Sequence, residues 1–136
     1  MLARREYSRL ELERKLAQYA ENPDQIPQLL DDFERRGWLC ERRVVEQVTA
    51  SRKRRFGARR IAHELREKGI AEELISAALP TLKGAELEAA RTVWRKKFGR
   101  AVRNLADRAR QVRFLQGRGF SLETALKIIG GKDNDD

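Results

Sequence analysis

Apolar residues recur along this chain at helical rather than strand spacing. Ile26, Leu29, Leu30 and Phe33 fall at i, i+3, i+4 and i+7, the stripe that an amphipathic helix buries. Leu12 and Leu16 mark a helix before it. Ser8 opens that helix, with Glu11 three residues on, the spacing of a capping box. Asn22-Pro23-Asp24 separates the two, and Asp24 is placed to cap the second. A third helix is expected over 40–55, with Val44, Val45 and Val48 facing inward. Phe56, Ile61 and Leu65 predict a fourth, ended at Gly69. Ile75 and Leu79 predict a short fifth, stopped by Pro80. Leu87, Ala90, Trp94 and Phe98 predict a sixth, broken at Gly99. Val102, Leu105, Ala109, Val112 and Leu115 predict a seventh, ended at Gly117 or Gly119. Leu122, Ala125, Leu126 and Ile129 predict an eighth, and 131–136 read as a polar, frayed tail. With few β-branched residues to build a sheet, the expected class is all-α.

A short pattern repeats within this series. Phe33-Glu34-Arg35-Arg36-Gly37, Leu65-Arg66-Glu67-Lys68-Gly69 and Leu115-Gln116-Gly117-Arg118-Gly119 each place an apolar residue, two spacers and a base before a glycine. An apolar residue follows (Leu39, Ile70, Phe120), then a small residue at the next helix start (Cys40, Ala71, Ser121). The unit is a helix, a left-handed glycine cap, an apolar staple and a second helix. Such units suggest small helical modules packed in series, each leaning on its neighbours. The expected divisions are a first repeat over 1–55, a second over 56–98 and a short third over 99–130.

Charge changes the picture next. The 136 residues carry a net charge of +9, unevenly distributed. Residues 51–70 hold 8 basic and 2 acidic groups, and residues 91–120 hold 10 and 1. A chain with two such blocks is expected to meet something acidic: nucleic acid, an anionic surface or an acidic protein groove. Arginine outnumbers lysine 22 to 8, which suits bidentate contact with phosphate or carboxylate. No apolar run approaches the ~20 residues a membrane span needs. Met1 to Glu6 carry no signal-peptide core, and the single Cys40 excludes an internal disulfide, so the expected compartment is the cytoplasm.

Candidate chemistry is sparse. His63 is the only histidine, which excludes a paired-histidine zinc site, and its expected place is the solvent face of the fourth helix. Cys40 sits at a helix start, where its repeat equivalents are Ala71 and Ser121. Gly130-Gly131-Lys132 lacks the earlier glycine and the Ser or Thr of a phosphate loop. No enzyme, cofactor or metal site is expected. Trp38, Trp94, Phe56 and Phe98 are of the type that stacks on bases, but their helical spacing assigns them to the core. Arg60 to Leu79 has the outline of a helix-turn-helix. Leu65 stands where that motif needs a small residue, and Glu72 and Glu73 open its second helix, which disfavours entry into a DNA groove.

Three stretches, taken in order, resemble the signatures of the RecX family of RecA regulators. The first is Leu2-Ala3-Arg4-Arg5-Glu6-Tyr7-Ser8 with Glu11-Leu12 and Lys15-Leu16. The second is Gly57-Ala58-Arg59-Arg60-Ile61 with Glu64-Leu65 and Lys68-Gly69-Ile70. The third is Arg113-Phe114-Leu115 with Arg118-Gly119-Phe120-Ser121. The resemblance spans 2–129. It implies tandem three-helix repeats in an elongated, curved array. It further implies binding in the groove of the RecA filament on single-stranded DNA, across more than one RecA subunit; separately, no heptad seam is sustained, so a monomer is expected. Suppression of ATP hydrolysis, strand exchange and coprotease activity would follow, by blocked filament growth or promoted disassembly. Cys40 and Ala71 depart from the acidic helix caps frequent in this family, at a cost of about 1 kcal/mol each. On this reading the filament- or DNA-contacting residues are Arg52, Arg54, Arg55, Arg59, Arg60, Lys96, Lys97, Arg100 and Arg103. The alternative is a small basic helical protein that binds DNA directly.

Overall fold

The computed structural model describes residues 5–130, and the expected polar tail at 131–136 and the start of the first signature lie outside them. Eight α-helices and no strands are present among the described residues: α1 (Arg9–Ala17), α2 (Ile26–Arg35), α3 (Glu41–Arg52), α4 (Ala58–Glu67), α5 (Glu72–Gly84), α6 (Glu86–Lys97), α7 (Leu105–Gly117) and α8 (Leu122–Gly130). The all-α expectation therefore holds. Ser8 opens α1 as the spacing predicts: its hydroxyl accepts from the Glu11 N–H at 3.1 Å while Glu11 accepts from the Ser8 N–H at 2.8 Å. A 3-10 turn, Pro23–Gln25, precedes α2. Asn22, not Asp24, provides the cap there, its side chain accepting from the Asp24 N–H at 3.2 Å.

Apolar packing divides the helices into three groups. Ile26, Leu30 and Leu39 form a small core, with Leu12 and Leu16 of α1 against it. Val44, Val48, Ile61, Leu65, Ile75 and Leu82 unite α3, α4 and α5 around a second. Ala90, Val93, Leu115, Phe120, Ala125 and Ile128 unite α6, α7 and α8 around a third. The last two groups are tandem three-helix modules, and their cores cross the divisions expected after 55 and after 98. Both modules open in the same way. Glu41, first residue of α3, accepts from the Ala71 N–H before α5 at 3.4 Å. Glu86, first residue of α6, accepts from the Ser121 N–H before α8 at 3.1 Å.

The repeated glycines all adopt left-handed backbone, with φ of +78° at Gly37, +79° at Gly69 and +92° at Gly119. That conformation closes each helix with the same long bond, from Trp38, Ile70 and Phe120 N–H back to the carbonyls of Phe33, Leu65 and Leu115. Their roles differ. Gly69 and Gly119 join the second and third helices of a module. Gly37 joins α2, which packs on α1, to α3, which opens the next module.

Several apolar stripes lie rotated from their sequence-based expectation. Leu29, Leu87, Leu105, Ala109 and Leu122 are exposed, Leu105 by 83 %. The inward face of α6 is Glu86, Ala89, Ala90 and Val93; that of α7 is Asp107, Gln111 and Leu115. Polar groups can occupy that face because each is bonded. Trp94 donates to Gln111 Oε1 at 2.8 Å, and Gln111 donates to Asp107 Oδ2 at 3.3 Å. Pro80 does not stop α5, which continues to Gly84. Pro80 and Ser76 are both exposed, so the carbonyl that loses its partner faces water, while buried Leu82 anchors the turns beyond. Trp38 is not core. It is 61 % exposed, tilted against Phe33 at 5.4 Å between centroids, with the Arg36 guanidinium over its ring.

Candidate functional site

The basic blocks of 51–70 and 91–120 are brought together by the packing of the two modules. Arg54 and Arg55 follow α3, and Lys96 and Lys97 end α6. These four line a cleft of roughly 790 Å³ with Ser51, Thr92, Val93, Phe114 and Arg118. Arg59 and Arg60, in the first turn of α4, line a second cleft of roughly 560 Å³. His63, Arg66, Lys83 and the Gln116–Gly119 turn complete it. No acidic side chain lines either cleft among the described residues. In the second, Arg66 is paired with Glu72 at 2.6 Å, so the first cleft holds the less compensated positive charge, and such charge in a concave surface attracts anions.

The other expected contacts lie elsewhere. Arg52 is turned toward α4, where its guanidinium donates twice to Glu64, at 3.0 and 3.3 Å. That hydrogen bond, aided by the carboxylate charge, raises the Arg52 pKa above its ordinary value. Arg100 is clamped by Asp107 through bonds of 2.6 and 3.0 Å. Asp107 also accepts from the Arg103 backbone N–H and from Arg110. The Arg100 hydrogen bond leads these interactions, which outweigh burial and hold the Asp107 carboxyl far below the usual range. The Arg103 side chain is exposed, 4.0 Å from the same carboxylate. The 91–120 block thus has its single acid at the hub of three arginines.

Arg118 lines the first cleft although it was not among the contacts expected from the sequence. Its guanidinium lies 5.3 Å from the centroids of both Phe56 and Phe114. Arg55 and Arg60 also approach Phe56, at 5.7 and 4.4 Å, and Lys97 approaches Phe114 at 5.5 Å. Aromatic faces therefore hold cations that have no carboxylate partner among the described residues. The signal for Arg118 was its i, i+4 spacing from Phe114 on a helix end. Lys83 and Arg66 were also missed, because nothing local in sequence places them beside the α7–α8 turn.

The residues proposed and dismissed for chemistry lie apart from these clefts or at their rim. His63 is exposed and lies 3.2 Å from Glu67 of the same helix. Cys40 is the N-cap of α3, in extended backbone and without a side-chain cap bond. Among the described residues there is no group of three or more His, Cys, Asp or Glu placed to hold a metal ion. No described helix is long and apolar enough to cross a membrane.

Comparison with known proteins agrees with this geometry. The family model of the RecX second three-helix domain matches residues 41–79, and that of the RecX third three-helix domain matches 85–129. These ranges contain the two modules built from α3–α5 and α6–α8. The chain is 43 % identical to the regulatory protein RecX of Leptothrix cholodnii, over 98 % of this chain and 85 % of that protein. It is 40 % identical to the regulatory protein RecX of Ralstonia nicotianae, over 97 % of this chain and 83 % of that one. With the corresponding protein of Chromobacterium violaceum the identity is 39 %, over 100 % and 88 %.

Proposed function

The chain belongs to the RecX family, and from that premise we propose that it is a non-enzymatic, mainly negative modulator of the RecA recombinase. In this reading the protein acts as a cytoplasmic monomer. It binds in the groove of the RecA filament on single-stranded DNA and lowers ATP hydrolysis, strand exchange and coprotease activity. The mechanism is steric and electrostatic. Helical modules occupy the groove, and the basic residues meet acidic filament surface or DNA backbone. The observation that carries the reading is the meeting of both basic blocks at one module junction. Arg54 and Lys96, from separate blocks, line one acid-free cleft. Arg55 and Lys97 line the same cleft and Arg59 and Arg60 the second one, whereas Arg52 and Arg100 are engaged by Glu64 and Asp107.

The test is RecA's DNA-dependent ATP hydrolysis with the protein added below one copy per RecA. The wild type is expected to inhibit. Arg54→Glu with Lys96→Glu reverses two exposed charges that have no ion-pair partner among the described residues, so native helicity should persist while inhibition weakens by about tenfold or more. Full inhibition by a natively folded variant overturns the assignment of the surface. No inhibition by the wild type, beside tight binding to naked DNA, overturns the RecA reading in favour of a protein that acts on nucleic acid directly.

A further inference from the structure

A glycine turn seats each three-helix module on the helices before it. The Gly69 turn rests on the first turn of α1, where a Cβ added to Gly69 would lie 2.9 Å from Leu10 Cβ. The Gly119 turn rests on the first turn of α4, where an added Cβ would lie 2.4 Å from Arg60 Cβ. The two seats are equivalent in position. Glu11 and Arg60 are each the third residue of their helix, and Lys68 and Arg118 each precede the glycine. In chemistry they are opposite. At the α4 seat both side chains are cations, and they bond to neutral carbonyls: Arg118 to that of Arg55 at 3.4 Å, Arg60 to that of Gly117 at 3.3 Å. The Gly57 N–H adds a backbone bond to the Arg118 carbonyl at 2.9 Å. At the α1 seat the same two positions form an ion pair. Lys68 Nζ lies 2.7 Å from Glu11 Oε2, with only 16 and 21 % of the two side chains exposed. Arg5 donates to the same carboxylate oxygen. A second pair, Arg43 with Glu6 at 3.1 Å, and a bond from the Glu6 N–H to Gln47 Oε1 at 2.8 Å complete this joint.

The α1–α2 pair is otherwise a separate piece. Its core of Ile26, Leu30 and Leu39, with Leu12, Leu16, Ala20 and Phe33, shares no residue with the core of the α3–α5 module. Arg9 ties α1 to α2 through Asp31 at 2.8 Å and Glu34 at 3.1 Å, so the pair moves as one body. Its covalent link to α3 passes through Gly37, which is left-handed at φ +78° and would meet nothing within 4 Å if a Cβ were added. A glycine at the root, free of packing, can absorb a change of backbone angle. We propose that α1–α2 is an arm hinged at Gly37 and held closed by an ionic latch, Glu11 with Lys68 and Glu6 with Arg43, which salt or a competing acidic surface releases. Closure depends on charge because the apolar cores do not bridge this joint, whereas the joint at α4 is closed by backbone and needs no counter-charge. An acidic surface that takes Lys68 and Arg43 from their carboxylates favours the open arm by that difference in contacts, so docking and opening are coupled. The device goes beyond the RecA reading and stands without it.

The experiment measures energy transfer in the full chain between dyes on α2 and α5, in Cys40→Ser/Gln28→Cys/Thr81→Cys, as sodium chloride is raised. Gln28 and Thr81 are both exposed. From about 0.1 M to about 1 M salt the screening length falls from about 10 Å to about 3 Å, and transfer should fall while far-UV helicity holds. Glu11→Gln removes the charge and keeps an acceptor for the Ser8 N–H, so the capping box survives. In this parent it should show the high-salt transfer at low salt already, with the open fraction raised about tenfold. Lys68→Met should do the same. Lys68 caps α4 with its backbone only, so this variant decides the matter if Glu11→Gln loses helicity. A second dye pair, on Thr81→Cys and Ala109→Cys in Cys40→Ser, spans the joint at α4, and its transfer should not change with salt. The proposal is overturned by parent transfer that salt leaves unchanged, by Lys68→Met with the parent's profile, or by an equal change across the α4 joint. It is overturned also by a change that goes with loss of helicity, because the arm then melts rather than swings.

Discussion

Gln111 holds in α7 the place that Ile61 holds in α4, four residues before the fully buried leucine of its helix (Leu115 and Leu65). The exchange of an aliphatic for an amide is sustained by the chain Trp94 to Gln111 to Asp107. Gln111→Ile would match the other module and still be expected to destabilise the protein, by about 1–3 kcal/mol, because the Trp94 indole and Asp107 each lose a partner. Urea denaturation measures it; a neutral result would show that the polar chain adds nothing over apolar packing. Glu86 makes a different case. Its burial raises the carboxyl pKa, against the Ser121 and Ala58 backbone bonds and the charge of Lys83. In the pH interval above an ordinary glutamate value the folded state therefore binds more protons than the unfolded one, and stability falls as pH rises through it. Glu86→Gln keeps an acceptor for Ser121 and removes that fall. Its stability profile should be flatter across mildly acidic pH, as urea midpoints at successive pH values would reveal. Asp107 acts in the opposite sense: its lowered pKa gives stability that is lost as pH drops below the ordinary aspartate range. Neither carboxylate was marked as special by its sequence. An acid among arginines reads as charge balance until the fold shows that it is buried.

Most helix boundaries were legible, since their signals are local. Ser8 with Glu11, and the glycine closures at 37, 69 and 119, act within a few residues of themselves. The α3 and α5 starts are the weak ones. Cys40 and Ala71 stand at N-cap positions with no side-chain bond, whereas Ser121 Oγ accepts from the Thr124 N–H at 3.1 Å. Cys40→Ser should supply the missing acceptor in an extended backbone already suited to it, for a gain of about 1 kcal/mol in thermal or urea unfolding. Helix faces were less legible than helix starts. The apolar stripe assigned to α7 failed at Leu105 and Ala109 because a polar chain holds the inward face. The end of α5 failed at Pro80 because the cost of a proline depends on whether the freed carbonyl meets water or protein.

At the scale of the molecule, the two basic blocks could be counted from the sequence, but their meeting could not. Arg54 and Lys96 become neighbours only because α3 and α6 belong to adjoining modules. Likewise Arg52 and Arg100 look like any other exposed base until Glu64 and Asp107 are placed beside them. Length and pattern indicated modules in series; which helices share a core depended on how α3 turns after Gly37. That division of the interior has a consequence for how the protein is made. The residues of the middle core all lie between Val44 and Leu82, and those of the last between Ala89 and Ile129. As the chain leaves the ribosome, at roughly 5–20 residues per second, the middle module has every partner it needs before α7 has been synthesised. Gly57, whose N–H meets the Arg118 carbonyl at 2.9 Å, is then part of a finished template on which the turn at Gly119 settles.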